Sequence, residues 1–310
     1  MNAIMPVFAV IDVGTNSVKF HIGERLADGS WRTLVDRAEV TRLGEGLREG
    51  GDFVPAAIER TADAIAGMAE EAARRGASTL AAVGTMGLRI ARNSDAFIAT
   101  VRERCDVDIE VISGEEEARL AYIAVVSGLN LGSGSLVIFD TGGGSTQFTI
   151  GRGTQVDERF SLNLGAVRLT EEFKLDGPVT AEGLRQALDA ISGELGRLDE
   201  LQPPDVLVGM GGAITNMTAV MLRMAVYDPE KVQGAALTRE EVDRQIELYR
   251  SRDSEARREI VGLQPRRAEV ILAGACVVRT VMDKLGRETL AVSDRGLRHG
   301  LLADRFGGKT

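Results

Sequence analysis

The chain has 310 residues, of which 44% are hydrophobic and 27% are charged, and its formal net charge is −9. This length suits two domains rather than one core, and the composition is that of a globular protein without an apolar tract long enough to cross a bilayer. The acidic balance argues against nonspecific binding to nucleic acid.

The N-terminus has no basic region ahead of its apolar run and no small-residue cleavage site, so we predict no secretory signal. Cys105 and Cys276 lie far apart, and neither has neighbours at a metal-ligand spacing. A reduced, cytoplasmic protein is therefore expected. His21 and His299 are the only histidines. Two isolated histidines do not suggest a metal cluster or a phosphohistidine relay, and we expect both to be structural.

The first predicted element is a hairpin at residues 8–23, FAVIDVGTNSVKFHIG, in which an apolar strand reaches Asp12, turns through small residues and continues as an alternating strand. The elements predicted after it are a helix at 55–75 that closes at Gly76, a strand at 80–85, a helix at 95–105, a strand at 109–113 and a helix at 115–126. The first domain is predicted to cover residues 1–127.

A second hairpin at residues 136–151, LVIFDTGGGSTQFTIG, repeats the first one 128 residues later. Asp12 matches Asp140, and the small-residue turns align. The later predicted elements are a helix at 180–198, strand 206–210, helix 212–223, a helix after the capping box of Thr238 and Glu241, helix 267–285, strand 290–293 and helix 296–305. The second domain is predicted to cover 128–310, with a last helix, at about 296–310, that packs back on the first.

The glycines of the second turn do not fit the common nucleotide motifs. They precede a strand, whereas a dinucleotide fingerprint opens a helix and a Walker loop ends in Gly-Lys-Ser or Gly-Lys-Thr. Successive bare amides can instead form a concavity for an anion. A tight hairpin turn without a ligand is the alternative. The repeat favours the anion site, because two facing turns could grip a phosphate chain from both sides.

Eight segments together resemble the exopolyphosphatase and guanosine pentaphosphate phosphatase family, within the sugar kinase, actin and Hsp70 superfamily. They are IDVGTNS, VGTMGLRIARN, VISGEEEARL, FDTGGGST, SLNLGAVRLTE, VGMGGAITN, RRAEVILAG and VSDRGLRHGLL, in that order. The resemblance implies an α/β fold of two ribonuclease-H-like (actin-like ATPase) domains with an interdomain cleft, and it is consistent with a homodimer. Longer members carry a helical extension, so we expect this chain to prefer short polyphosphate and to release it distributively.

Phosphoanhydride hydrolysis requires a held polyanion, a screening cation and a placed water. Asp12 and Asp140 offer the carboxylate oxygens that Mg²⁺ or another divalent cation prefers, although an acid at a hairpin can also cap its own turn. The residues expected to bind phosphate are Thr15, Asn16, Ser17, Gly142, Gly143, Gly144, Ser145 and Thr146, together with Gly211 and Gly212 of the segment that resembles the superfamily's nucleotide loop. Asp140 is also counted among the catalytic residues.

Three consecutive glutamates begin the helix after residue 113, where the helix dipole favours acids in any case. The resemblance identifies the last, Glu117, as the catalytic carboxylate, acting as a general base and as a metal ligand. Arg89 could clamp a phosphate bidentately, or be an ordinary surface arginine. Two residues depart from the family pattern. Gln147 stands where glutamate is usual, and Arg295 replaces a small residue; Arg295 could reach a polyanion, but we expect it at the surface.

The favoured function is a Mg²⁺-dependent exopolyphosphatase acting on inorganic polyphosphate. The alternatives are a guanosine pentaphosphate 5′-phosphohydrolase and a weakly active polyphosphate- or nucleotide-binding regulatory module, which Gln147 would suit. A sugar or acetate kinase is disfavoured because its acceptor motifs are absent from the sequence. The sequence does not choose between the two phosphate substrates. No nucleic-acid or membrane partner is expected.

Overall fold

The structure is a computed structural model that describes residues 5–15, 17–45, 47, 50–129, 131, 133–153 and 155–307. The chain folds as two compact units, one formed by residues 1–124 with 297–310 and the other by residues 125–296. In the described part of the chain, no helix combines the length and the apolar character that crossing a bilayer requires.

The first unit contains a mixed sheet with the strand order β3-β2-β1-β4-β5. Its elements, in chain order, are β1 (Val7–Val13), β2 (Ser17–Arg25), β3 (Trp31–Val40), α1 (Pro55–Arg74), β4 (Ala77–Gly84), α2 (Met86–Ile90), α3 (Ser94–Cys105), β5 (Ile109–Val111) and α4 (Gly114–Leu129), of which residues 125–129 belong to the second unit. The first three strands form an antiparallel meander, and β4 and β5 run parallel to β1. This is the topology of a ribonuclease-H-like domain.

The second unit repeats that topology. Its elements are β6 (Ser135–Thr141), β7 (Thr146–Arg152), β8 (Gln155–Leu162), α5 (Ala166–Phe173), α6 (Ala181–Glu194), β9 (Val206–Met210), α7 (Gly212–Met221), α8 (Pro229–Val232), β10 (Ala236–Thr238), α9 (Arg239–Arg250), α10 (Ser254–Arg258), α11 (Ile271–Lys284) and β11 (Thr289–Ser293). The sheet order is β10-β11-β9-β6-β7-β8, so five strands match the first sheet and β10 extends one edge. The predicted α/β fold with two ribonuclease-H-like domains is confirmed.

Each predicted hairpin continues into a third antiparallel strand that the sequence did not reveal. The strands β3 and β8 are partly exposed along most of their length, so their polar residues hide the period-two signal. The helix predicted from residue 267 begins only at Ile271, because Pro265 starts a separate 3₁₀ turn, Pro265–Arg267. The hydroxyl of Thr238 accepts a hydrogen bond from the Glu241 amide at 3.2 Å, which confirms the predicted cap.

The C-terminal helix α12 (Leu297–Phe306) belongs to the first unit and packs on its sheet. Leu297, Leu301 and Leu302 form an apolar cluster with Val10 of β1 and Leu120 of α4, among others. A Cβ on Gly300 would lie 1.8 Å from the carbonyl oxygen of Leu120, so only glycine permits this approach of α12 to α4.

Candidate active site

The first hairpin holds a buried acid beside a lysine. Asp12 lies near the end of β1 and is only 2% exposed. The antiparallel register places Lys19 of β2 opposite it, and the Lys19 Nζ lies 3.0 Å from the Asp12 Oδ2. A buried carboxylate needs a partner of this kind. Lys19 was not singled out from the sequence, although the alternation of the hairpin was sufficient to pair it with Asp12.

The turn between these strands is closed by a hydrogen bond from the Gly14 amide to the Ser17 carbonyl, at 3.1 Å. Thr15 lies against two glycines of other segments. Its carbonyl accepts from the Gly44 amide at 2.8 Å, and a Cβ on Gly87 would lie 3.0 Å from its hydroxyl oxygen. Asn16 lies outside the described residues. The backbone of this turn is thus fixed from outside by neighbouring loops of the first unit.

Glu117 lies in the first turn of α4, in the same unit as Asp12. The Ser113 hydroxyl accepts from the Glu116 amide at 3.1 Å, and this cap sets the start of the helix. The Glu116 carboxylate turns to Arg119, at 2.7 and 2.8 Å. Glu117 therefore points along a different face of the helix from Glu116, as successive helical positions require.

Arg89, from α2, binds Glu117 directly. Its two terminal nitrogens each lie 3.1 Å from the Glu117 Oε2, and one also donates to the Ile112 carbonyl at 2.8 Å. Burial raises the pKa of Glu117, and the Arg89 charge opposes that rise. The Asp12 charge also raises this pKa, whereas the Lys19 charge lowers it. The Glu117–Arg89 pair and the Asp12–Lys19 pair thus lie in the first unit and interact electrostatically.

The second hairpin has the same turn with a different charge pattern. The Gly142 amide donates to the Ser145 carbonyl at 2.9 Å, as in the first hairpin. Gln147 lies opposite Asp140 in the register, and its amide nitrogen donates to the Ser145 hydroxyl at 2.7 Å. Thr146 is fully buried, and its hydroxyl donates to the Leu164 carbonyl at 2.6 Å. The Thr146 hydroxyl therefore faces the interior rather than a ligand, in contrast to the expected cradle.

Hydrogen bonds from the start of α5 fix the direction in which the N–H groups of Gly143 and Gly144 point. The amides of Ala166 and Val167 donate to the carbonyls of Gly142 and Gly143, at 3.0 and 2.9 Å. In a trans peptide the N–H points away from the carbonyl of the same unit. The N–H groups of Gly143 and Gly144 therefore point away from α5, where they can donate to an anion. A Cβ on Gly165 would lie 2.2 Å from the Gly143 carbonyl oxygen, so this packing requires glycine.

Gly211 and Gly212 pack against charged groups of the second unit. Gly211 has a φ of +91°, and a Cβ there would lie 2.0 Å from the Asp140 Oδ1. A Cβ on Gly212 would lie 2.3 Å from the Arg267 guanidinium. The sequence grouped Gly211 and Gly212 with the phosphate loops, but it did not identify Arg267 as their neighbour.

Arg267 is a strong candidate for an anion ligand. Its Nε is buried and has no hydrogen-bond partner among the described residues. Burial lowers the pKa of Arg267, Arg266 lowers it further, and Asp140 opposes the change. Arg295 is also not the surface residue that was expected. Burial lowers its pKa, and its side chain lies against Gly128.

Comparison with known proteins finds one phosphatase family that matches nearly the whole chain. The model of the Ppx/GppA phosphatase family matches residues 24–307. The Bifunctional 3-dehydroquinate synthase/phosphatase of Fusobacterium nucleatum is 30% identical over 297 residues, which are 92% of this chain and 44% of that protein. Exopolyphosphatase 2 of Mycobacterium tuberculosis is 31% identical over 319 residues, 96% of this chain and 98% of that protein.

The Guanosine-5'-triphosphate,3'-diphosphate pyrophosphatase of Photobacterium profundum is 30% identical over 306 residues, 97% of this chain and 59% of that protein. The chain thus spans less than two thirds of the Fusobacterium and Photobacterium proteins. Among solved structures, the type II variant of the Aquifex aeolicus Ppx/GppA phosphatase superposes with a TM-score of 0.89 at 32% identity, over 97% of this chain and 100% of that one. The chain belongs to the Ppx/GppA phosphatase family.

Proposed function

We propose that this chain is a Mg²⁺-dependent exopolyphosphatase that removes the terminal phosphate of inorganic polyphosphate. The observation that carries the proposal is the Glu117–Arg89 pair, held at 3.1 Å, on which the buried Asp12 acts electrostatically. A carboxylate whose pKa is raised by burial takes a proton from water more readily than an ordinary one. A guanidinium at the same place can bind phosphoryl oxygens.

Glu117 would act as the general base. A water oxygen attacks the terminal phosphorus, its proton passes to the Glu117 carboxylate, and the bond from that phosphorus to the bridging oxygen breaks. The shortened chain leaves with the electron pair of the broken bond on that oxygen. Arg89 can bind a phosphoryl oxygen while it remains near Glu117. Arg89 would then offset the repulsion between the Glu117 carboxylate and the anionic substrate.

The two turns would bind phosphoryl oxygens through their amides. In the second turn, the N–H groups of Gly143 and Gly144 point away from α5, and Arg267 has an unpaired buried Nε in the same unit. In the first turn, Thr15 occupies the position equivalent to Gly143, and Ser17 occupies the position equivalent to Ser145. Neutral amides and fixed cations suit a polyanion because they stabilise its charge without having to reorganise.

The donor set of the proposed metal site fits a hard divalent cation. Asp12 and Glu117 of the first unit, and Asp140 of the second, would each be a ligand, because Mg²⁺ prefers carboxylate oxygen over nitrogen and sulfur. When bound, Mg²⁺ would neutralise phosphoryl charge and help to orient the substrate. Lys19 already lies 3.0 Å from Asp12, so its ammonium and the cation would share this carboxylate.

Guanosine pentaphosphate is the second candidate substrate, favoured by the likeness to the pyrophosphatase of Photobacterium profundum. A regulatory module that binds but does not hydrolyse is the third. Phosphate release should therefore be measured with short polyphosphate, long polyphosphate, guanosine pentaphosphate and ATP, each with and without Mg²⁺. The exopolyphosphatase proposal expects Mg²⁺-dependent release from polyphosphate at the highest kcat/KM.

The outcomes of that comparison separate the candidates. Faster release from guanosine pentaphosphate would transfer the assignment to the second substrate. Binding of both polyanions without release, unchanged by Gln147→Glu, would support the regulatory module. Analysis of product lengths tests the expected distributive release, which long polyphosphate vanishing without intermediates would contradict.

A further inference from the structure

The two histidines of the chain, separated by 277 residues in sequence, meet on the first unit. His21 lies on β2, Asp36 lies opposite it on β3, and His299 lies on α12. The ring centroids of the histidines are 4.7 Å apart. One nitrogen of each ring and one oxygen of Asp36 all lie within 4.8 Å of one another. No residue proposed for phosphate hydrolysis belongs to this group, which we call the His–Asp–His cluster.

Two of the distances within the cluster are close to the edges of a metal coordination shell. The Asp36 Oδ2 lies 3.1 Å from the His299 Nε2 and 3.7 Å from the His21 Nδ1. Zinc binds imidazole nitrogen and carboxylate oxygen at about 2.0–2.2 Å, so adjacent ligand atoms of a tetrahedral site are about 3.4 Å apart. The two observed edges bracket that value. An ion could occupy the group after a small movement of the rings.

His21 supplies an independent indication of a ligand. It is 2% exposed, and its Nδ1 makes no hydrogen bond within the described part of the chain. A buried polar atom without a hydrogen bond is costly, so an arrangement that leaves one 3.7 Å from a carboxylate oxygen is unusual. A metal ion at this place would satisfy it.

Arg298 also contacts the cluster. Its Nε lies 2.5 Å from the Asp36 Oδ1, and its Nη2 lies 3.0 Å from the Asp36 Oδ2. The first contact orients the carboxylate as outer-shell partners of metal ligands do. The second places a positive charge on the oxygen that an ion would share. Arg298 should therefore weaken the site without removing any of its ligands.

We propose that His21, Asp36 and His299 form a binding site for a borderline divalent transition-metal ion such as Zn²⁺. Two imidazoles and one carboxylate are a common ligand set for zinc, and a water can complete the tetrahedron. The ion would join α12 to β2 and β3 and so stabilise the first unit. This site is separate from the proposed Mg²⁺ site, because hard Mg²⁺ prefers oxygen ligands and imidazole suits Zn²⁺ and Co²⁺.

The test is a titration of the chelator-treated full chain with Co²⁺ and with Zn²⁺, in excess Mg²⁺ to occupy oxygen sites. Co²⁺ should give the visible absorption of a low-coordinate nitrogen–oxygen site, without a thiolate charge-transfer band. Zn²⁺ should raise the melting temperature and remain bound at one ion per chain after desalting. Since the chain has two histidines, Co²⁺ should perturb both imidazole resonances in an NMR spectrum.

Two variants make the test specific. His299→Gln should weaken Zn²⁺ binding by about 100-fold or more, because even outer-shell changes cost 10–100-fold. Arg298→Gln should strengthen binding, since it removes the competing charge. Failure of the wild-type chain to bind, binding that survives His299→Gln, or Co²⁺ that leaves the imidazole resonances unchanged would each overturn the proposal. If His299→Gln lowers the melting temperature and leaves metal affinity unchanged, the cluster is an ion-pair contact and the proposal fails.

Discussion

The two acid-tipped hairpins share one backbone and differ in charge. The turn hydrogen bond is 3.1 Å in the first and 2.9 Å in the second, and the acids at their ends occupy matching register positions. Opposite Asp12 lies Lys19, whereas opposite Asp140 lies the neutral Gln147. The first hairpin therefore carries an ion pair that acts on the pKa of Glu117, and the second offers the bare amides of Gly143 and Gly144. The same backbone turn therefore carries different side-chain charges in the two hairpins.

The hairpins are also supported differently. In the first, a side chain is the nearest neighbour, because a Cβ on Gly44 would lie 2.0 Å from the Thr15 Cγ2. In the second, the neighbour is backbone, at the Gly143 carbonyl near Gly165. A side chain can rotate away from a new contact, but a backbone atom moves only with its segment. The second turn should therefore be the more rigid of the two.

The largest expected effect is the loss of activity on substitution of Glu117, which lies in the same unit as the charged first hairpin. Glu117→Gln should lower kcat by about 10²–10⁴-fold, because it removes the general base while preserving the shape of the side chain. Steady-state phosphate release from polyphosphate is the measurement. Glu116→Gln is the matched control, since that carboxylate binds Arg119, and its activity should stay near wild type. Equal losses of activity in the two variants would show that the substitutions act by disturbing α4, and that Glu117 is not the general base.

Arg89→Gln should lower kcat/KM by roughly 10- to 100-fold, the value of a lost charge-assisted hydrogen-bond pair. The Arg89 charge lowers the pKa of Glu117, so its removal raises that pKa. A base must be deprotonated to act, and the acid limb of the pH–rate profile should therefore move to higher pH. If the rate falls and the acid limb stays at the same pH, the Arg89 charge does not set the pKa of the general base.

Gly165→Ala should destabilise the protein by about 1–3 kcal/mol, because the new methyl group would meet fixed backbone. Gly44→Ala should cost less, and its cost should shrink in a Thr15→Ser background that removes the obstructing methyl group. Denaturant midpoints measure both. Gly193→Ala in α6, where a Cβ meets nothing within 4 Å, serves as the reference. A Gly44→Ala cost equal to that of Gly165→Ala would refute the difference in rigidity.

The smallest expected effect concerns the charge that distinguishes the hairpins. Lys19→Gln gives the first hairpin the residue of the second. The glutamine amide can still donate to the buried Asp12, and the Lys19 side chain is 40% exposed, so the cost in stability should be about 1 kcal/mol or less. Lys19 lowers the pKa of Glu117, although less than Arg89 does. The acid limb should thus move to higher pH by less than in Arg89→Gln. No movement of the limb would mean that Lys19 does not act on Glu117.

Much of the fold and part of the site followed from local patterns. The repeat predicted two equivalent hairpins, and both sheets have them in matching register. The edge strands β3 and β8 were missed because a strand that is half-exposed on both faces shows little alternation. Lys19 could have been paired with Asp12 from the alternation of the hairpin. Arg267 could not have been placed near Gly212, since the two are far apart in sequence and meet only through the packing of α7 and α11.

The sequence by itself determined the repeated topology, the acids at the hairpin ends and the family, because these depend on residue type and spacing along the chain. Only the tertiary structure decided which charges act on Glu117, which way the amides of Gly143 and Gly144 point, and that His21 and His299 lie together. Such facts depend on distances between segments remote in sequence. Packing and backbone direction set those distances, and no local pattern encodes them.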